Sequence, residues 1–334
     1  MPAPAAARYS LVLAPFYIAL AGMALASPAL AFAVLRTRLA PLAGTALLAL
    51  TLVASVRAQR ETLALLPVET LDVARALRQM PLSERRVVAL KPHLAWLADA
   101  EFVPLPVAAS LESLATACHR AGARYLYFSW IETNNRPTLW YLLDPETPVR
   151  GLRAVASTAR PGAVLYRIEP GFGETPAWLE NDSLRAACVA RFLARMPGPL
   201  AGRAHLTLAI WAREQKRFTE VREQAQAALV ADPRQAFAWR LLGEAQLAGG
   251  DRAGAIASFE RAVALAPLTV DTRVALGWMQ LGAGNRDAAA EAWRPVVNET
   301  TDRTTLQRLA ELFGERGEKA VADRARRALE RLGR

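Results

Sequence analysis

The C-terminal third of the chain is similar to itself at a spacing of 34 residues. One unit begins at Ala236 and carries a set of aromatic, apolar and small residues: Trp239, Leu242, Gly243, Ala255, Phe259, Ala262 and Pro267. The equivalent residues 34 positions earlier are Leu208, Ala209, Ala228 and Pro233, and those 34 positions later are Leu276, Gly277, Ala289 and Trp293. A period of this length predicts stacked helical hairpins, each of which buries its apolar face against the next.

The pattern resembles that of the tetratricopeptide repeat, so residues 201–334 are predicted to form an all-α solenoid. Small residues let the two helices of a hairpin approach each other, large apolar residues fill the space between them, and a proline ends the second helix. The last unit starts at Arg303. Its second helix, KAVADRARRALERL, is heavily charged and is predicted to be the solvating cap that such an array requires.

In this family the first helix of each repeat lines the concave side. The resemblance therefore predicts a binding groove formed by ten side chains: Leu206, Ile210, Arg213, Phe237, Arg240, Glu244, Leu247, Val274, Trp278 and Leu281. An apolar strip with charged borders suits a protein or peptide partner, either an extended segment or a helix. The alternative is that the chain fills this groove itself.

Two uncharged segments lie near the N-terminus and are separated by Arg36-Thr37-Arg38. Residues 11–35 are long enough to cross a bilayer, and residues 39–56 are just long enough. They predict a transmembrane hairpin within residues 1–60 and hence contact with the lipid bilayer. The positive-inside rule places the rest of the chain on the periplasmic side of a bacterial inner membrane. The alternative is a cleaved signal peptide with its site at 24–26.

Residues 61–175 alternate short apolar runs with amphipathic stretches, which is typical of a small α/β domain. Strands are predicted at 87–90, 101–105, 124–129, 152–157 and 164–168. Residues 176–200 are predicted to be a linker with one helix. The whole chain is therefore expected to be a multi-domain protein: a transmembrane helical hairpin, a small α/β domain and a repeat solenoid.

Residues 90–145 also resemble the soluble C-terminal domain of bacterial polytopic glycosyltransferases of the protein O-mannosyltransferase and aminoarabinose-transferase-like superfamily. The similarity is carried by four segments: Lys91-Pro92-His93-Leu94, Phe102-Val103-Pro104, Gly122-Ala123-Arg124-Tyr125-Leu126 and Leu142-Leu143-Asp144-Pro145. The resemblance implies a place in envelope glycan assembly, where polyprenyl-phosphate sugars are the donors.

Members of that superfamily are bundles of many membrane helices. Their first extracytoplasmic loop carries acidic residues that serve as base and metal ligand. This chain has no Asp or Glu before Glu61, so no catalytic residue is carried over. We therefore predict a membrane-anchored interaction scaffold that is not an enzyme. The alternative is the C-terminal portion of a glycosyltransferase whose catalytic helices lie upstream.

The charge distribution and the few cysteines and histidines argue against a nucleic-acid-binding or metal-binding protein. The net charge is +10, but only three of the 41 basic residues are lysines and no dense basic patch occurs, so no nucleic-acid partner is predicted. Two cysteines and three histidines, widely scattered, predict neither a metal site nor a cofactor. The adjacent Cys118 and His119 are expected to be a buried thiol beside a surface imidazole.

Overall fold

The protein is described by a computed structural model, which covers these parts of the chain: residues 52–57, 68–108, 110–196 and 198–332. The chain divides into two compact units, Met1–Pro67 and Val68–Arg334. In the first unit, residues 52–57 are helical, and the remainder of the predicted spans 11–35 and 39–56 lies outside the described residues. Within the described ranges, every helix is too short or too polar to cross a bilayer.

The second unit begins with an α/β part in which all five predicted strands are present. Its helices and strands are α1 (Glu69–Arg78), β1 (Arg86–Ala89), α2 (His93–Ala98), β2 (Glu101–Pro104), α3 (Leu111–Arg120), β3 (Tyr125–Ser129), α4 (Trp130–Asn135), β4 (Leu152–Thr158) and β5 (Ala163–Ile168). Short 3-10 segments occupy Leu82–Glu84 and Pro137–Leu143. Cys118 is buried beside an exposed His119, as the sequence predicts.

The five strands form one mixed sheet in the order β2-β1-β3-β5-β4. Strands β2, β1 and β3 are parallel, and β5 and β4 continue the sheet antiparallel to β3 as a hairpin. The parallel strands therefore end at one common edge. Apolar residues of α1 and α2, such as Val73, Leu77 and Leu94, pack with Tyr125 and Leu165 in one core cluster.

The remaining helices are α-helices of two to four turns joined by short connections. They are α5 (Asp182–Arg195), α6 (Ala201–Glu214), α7 (Phe218–Ala231), α8 (Ala236–Ala248), α9 (Arg252–Leu265), α10 (Val270–Gly282), α11 (Arg286–Trp293), α12 (Arg303–Glu315) and α13 (Lys319–Leu332). Helices α6 to α13 pair as four successive hairpins. This confirms the helical-repeat solenoid predicted from the 34-residue period.

Close helix contact within the repeats depends on glycine facing an aromatic ring. A Cβ atom on Gly243 would lie 3.2 Å from Cδ2 of Phe259, and one on Gly277 would lie 2.0 Å from Nε1 of Trp293. Trp293 is fully buried and donates its indole N–H to the carbonyl of Val274 at 3.1 Å. The Trp293 ring in the third repeat therefore lies closer to its facing glycine than the Phe259 ring in the second repeat does.

Two repeat positions show how polar residues replace expected apolar ones. Gln246 stands where the repeat pattern has an aromatic residue, and its Oε1 accepts a hydrogen bond from Ser258 Oγ at 2.6 Å. In the next repeat Gln280 is buried and donates to Oε1 of Glu260 at 2.9 Å. The Gln246 amide thus joins the two helices of its own hairpin, and the Gln280 amide joins its repeat to the preceding one, through hydrogen bonds instead of ring packing.

The α/β part and the first repeat share a core built on aromatic side chains. Trp140 is fully buried, and its ring lies edge-on to Phe192 of α5 at 5.4 Å and to Trp211 of α6 at 5.8 Å between centroids. Arg185 of α5 is also buried and donates to Glu220 of α7 at 2.6 Å. Residues 176–200 are therefore more than a linker, because α5 packs against both neighbours.

We predict that Gly277→Ala destabilises the repeats. The new methyl group overlaps the ring of Trp293, and overpacking a tight core costs about 1–3 kcal/mol. Gly282→Ala, in the last turn of the same helix, is the matched control because no atom lies within 4 Å of the added carbon. Thermal melts of both variants should show a lower midpoint for Gly277→Ala only. Equal midpoints would mean that the Gly277–Trp293 contact is absent in solution.

Candidate functional site

All ten residues predicted to line the groove retain accessible surface. Leu247 and Trp278 are the most exposed, at 41% and 36%, and the other eight are half-buried. They belong to the first helices of three successive repeats, α6, α8 and α10. The predicted packing residues behave differently: Leu242, Gly243, Ala255, Phe259 and Ala262 are buried in their hairpin, whereas Trp239 is half-buried and Pro267 is exposed.

A row of ion pairs joins the first helices of three successive repeats. Arg213 of α6 lies 3.8 Å from the carboxylate of Glu244 on α8, which also accepts a hydrogen bond from Nε of Arg240 at 2.9 Å. Arg240 lies 3.6 Å from Asp271 of α10, and its guanidinium stacks 5.2 Å from the ring centroid of Phe237. These contacts show that the three helices turn these side chains toward one continuous surface.

The ion pairs leave the charged residues of the predicted groove already paired within the chain. Arg213, Arg240 and Glu244 are each less than one-third exposed, and each already has an opposite charge within 4 Å. Such partly exposed pairs contribute about 0–1 kcal/mol each to stability, so their main effect here is to hold the side chains in place. Four other predicted groove residues on the same helices are apolar and retain accessible surface: Leu206, Ile210, Leu247 and Val274.

Trp278 has a partner that the sequence did not predict. Its indole N–H donates to Oγ1 of Thr305 in α12 at 2.9 Å, and its ring lies edge-on to Trp293 at 5.2 Å between centroids. The side chain therefore joins the third repeat to the last repeat unit and remains partly exposed. Leu281 likewise packs against the core of the cap.

A second polar cluster lies inside the α/β part, at the edge where the parallel strands end. Glu69 begins α1, and its Oε1 accepts the indole N–H of Trp130 at 3.0 Å. Glu132 accepts a hydrogen bond from the backbone N–H of Ser129 at 2.8 Å and another from its hydroxyl. Thr70 and Tyr127 share a hydrogen bond of 3.1 Å beside them.

Burial dominates the electrostatics of the two carboxyl groups. It raises the pKa of Glu69 to about 7, the hydrogen bond from Trp130 opposes the rise, and the nearby Glu132 adds to it. Burial also raises the pKa of Glu132, against the hydrogen bonds that stabilise its ionised form. Among the residues that the structure describes, none forms a hydrogen bond with Oε2 of Glu69. The Glu69–Trp130 and Thr70–Tyr127 hydrogen bonds fasten the start of α1 to the end of β3.

Sequence reasoning did not find this cluster as a unit. The spacing Ser129-x-x-Glu132 is a capping-box pattern that could have been noticed, and the structure contains that capping box. The contact between Glu69 and Trp130 joins residues 61 positions apart, and no periodicity predicts it. Lys91 and His93, which belong to a segment of the glycosyltransferase resemblance, lie exposed after β1 and at the start of α2.

Comparison with known proteins gives limited information. No protein-family model and no curated protein matches this chain. Two crystal structures of MamA are similar at 20% identity, with TM-scores of 0.35 and 0.37, over 46% and 44% of this chain and 92% and 79% of theirs. The pilF protein of Pseudomonas aeruginosa is similar at 17% identity and a TM-score of 0.38, over 45% and 68%. Likeness at this level says nothing about what the groove binds.

The buried carboxyl group of Glu69 should make stability depend on pH. The folded protein keeps the Glu69 proton up to about pH 7, whereas the unfolded chain loses it near 4.5. Stability from this group is therefore full below the unfolded pKa and is lost as pH rises toward the folded pKa. Glu69→Gln removes this titration, so its urea midpoint should fall less than that of the native protein between about pH 5 and pH 8.

The matched control for that prediction is Glu112→Gln, which changes an exposed carboxyl group. It should leave the pH dependence as in the native protein. If Glu69→Gln and Glu112→Gln showed the same pH dependence, the pKa of Glu69 would not be raised in the folded protein.

Proposed function

We propose that this protein is a membrane-anchored scaffold that binds a protein partner in the groove of its repeats. The observation that supports this most directly is the row of ion pairs that joins the first helices of three successive repeats, with apolar side chains left accessible on the same helices. A surface of this kind is already ordered before binding, so a partner gains apolar contact without the cost of ordering the groove.

The partner is expected to be an apolar, weakly charged segment of a protein. The positive charges of Arg213 and Arg240 are neutralised within the chain, so a terminal carboxylate or an acidic peptide would have to displace Glu244 or Asp271. Accessible leucine, isoleucine, valine and tryptophan side chains favour the apolar face of a helix, which presents side chains at spacings of three and four residues.

The cellular setting is part of the proposal. Two uncharged segments, 11–35 and 39–56, support anchoring in a bacterial inner membrane. The arginines between those segments favour a periplasmic position for the second unit. The resemblance of residues 90–145 to glycosyltransferase domains supports a partner that acts in envelope glycan assembly or in the transfer of lipid-linked sugars.

A photo-crosslinking amino acid in place of Leu247 tests the groove in the full chain. Leu247 lies in the groove, and Val230, which is 87% exposed near the end of α7, gives the matched control position. After irradiation in cells of the native host, position 247 should form one discrete adduct with another protein, and position 230 should form none.

A second substitution shows whether that adduct depends on the groove surface. Trp278→Ala should reduce the adduct from position 247 by about tenfold or more, because central aromatic residues carry about 2 kcal/mol or more of binding energy. Its melting temperature should fall less than that of Gly277→Ala. Crosslinks confined to this chain itself would contradict the proposal and show that the chain fills its own groove.

A further inference from the structure

The two edges of the sheet in the α/β part differ in character. We name the carboxyl edge as the one where β1, β2 and β3 end, with the loops 90–92 and 105–108. Helix α1 starts there too, because Trp130, directly after β3, donates to Glu69, the first residue of α1. The chain that precedes Val68 therefore joins the second unit at the carboxyl edge.

Exposed apolar side chains are concentrated at the carboxyl edge. Among described residues between 68 and 175, five large apolar residues are exposed, and four are at this edge: Val68, Leu71, Trp96 and Val107. Val107 is 99% exposed and Trp96 is 79% exposed. Trp96 is the fourth of the six residues of α2, and a helical side chain leans toward the start of its helix, which here is the carboxyl edge.

The opposite edge is charged and paired. Four ion pairs lie there, where the parallel strands begin and β5 ends: Arg78–Asp99 at 3.6 Å, Arg86–Glu101 at 2.7 Å, Arg167–Glu84 at 3.3 Å and Arg153–Glu169 at 2.7 Å. The fifth exposed apolar residue, Leu82, is at this edge. The charged edge is thus readily hydrated, whereas the carboxyl edge exposes large apolar side chains that the described residues of the second unit do not cover.

The charged groups at the carboxyl edge are mostly basic. Lys91, His93 and Arg160 are exposed there, and Arg136 donates to the carbonyl of Pro106 at 2.6 Å. Asp72 pairs with Arg75 on α1, and Glu112 is exposed in the first turn of α3. Glu69 and Glu132 are buried beneath this surface. Exposed tryptophan and basic side chains at the same edge are the combination found where proteins meet the boundary between lipid head groups and acyl chains.

The sequence also limits how far this edge can lie from a bilayer. The uncharged segment 39–56 ends eleven residues before Val68, since residues 57–67 separate them. Eleven residues span at most about 40 Å even when fully extended. The edge that carries the exposed apolar side chains is also the edge nearest, along the chain, to the predicted membrane segments.

We infer that the carboxyl edge of the α/β part lies on the lipid bilayer surface, with Trp96 and Val107 among the head groups and Lys91 near the lipid phosphates. This placement rests on the membrane anchoring proposed above. It would fix the second unit against the membrane by a surface as well as by a covalent tether. Apolar side chains inserted at such a surface reach into the boundary between head groups and acyl chains.

Site-specific labelling of the full chain can test this placement. The native thiols of Cys118 and Cys188 are buried, and burial raises the pKa of each to about 12, so an introduced cysteine is labelled selectively. Val107→Cys carries a polarity-sensitive fluorophore. Leu82→Cys, on the opposite edge of the same sheet, and Val230→Cys, in the repeats, are the matched controls.

The labelled chains are placed in phosphatidylcholine and phosphatidylglycerol nanodiscs, with and without bromine on the acyl chains. Bromine quenches only fluorophores that contact lipid, so the label at position 107 should lose about half its emission or more, and the labels at 82 and 230 should lose none. A double variant, Trp96→Ser with Val107→Cys, should show weaker quenching than Val107→Cys alone.

Other outcomes contradict the inference in different ways. Emission at 107 that shifts to the blue without bromine quenching would mean that protein covers this edge, either the preceding segment of the chain or a second copy. Equal quenching at 82 and 107 would remove the distinction between the edges. Retention of the chain in membranes after an alkaline carbonate wash is measured alongside. Release by that wash would contradict the anchoring itself, whereas retention without quenching at 107 contradicts only the placement.

Discussion

The packing of Trp140 between the α/β part and the repeats determines how the second unit is organised. The ring is fully buried and meets Phe192 of α5 and Trp211 of α6 edge-on, in contacts that contribute about 0.5–1.5 kcal/mol each beyond the burial of their area. The buried guanidinium of Arg185 adds hydrogen bonds to the carbonyl of Leu179 and to Glu220. Sheet and solenoid therefore share one core, and the groove keeps a fixed direction relative to the sheet.

This arrangement gives the two functional surfaces a defined relationship. The proposed lipid-facing edge is formed by loops at the ends of parallel strands, and the groove by the first helices of the repeats. Because the aromatic core joins these parts, a partner bound in the groove would be held at a constant height and orientation above the bilayer.

The local sequence pattern predicted the helices and strands of this fold well, but it did not predict the contacts between residues far apart in the chain. The 34-residue period fixes the hairpins because each repeat must place a small residue opposite a large one, as Gly277 does opposite Trp293. Trp140 belongs to no periodic pattern, so nothing local indicates that its ring meets residues 52 and 71 positions away.

The prediction for Trp278 shows the same limit within the candidate site. Its position in the first helix predicted an open aromatic side chain, but Thr305 of the following unit accepts a hydrogen bond from its indole. Only the identity of a side chain in another repeat decides how much of the ring is left for a partner. The sequence thus placed these side chains on the first helices of the repeats, and the accessibility of each one could not be predicted.

The most direct test of a groove held in fixed orientation is a distance measurement by pulsed electron spin resonance in the full chain. Spin labels are introduced through Leu82→Cys on the sheet and Val230→Cys on the first repeat, both exposed positions. A shared core predicts one narrow distance distribution, which broadens when Trp140→Ala removes the central ring. A broad distribution in the chain that retains Trp140 would show that sheet and repeats move independently, and would contradict the account.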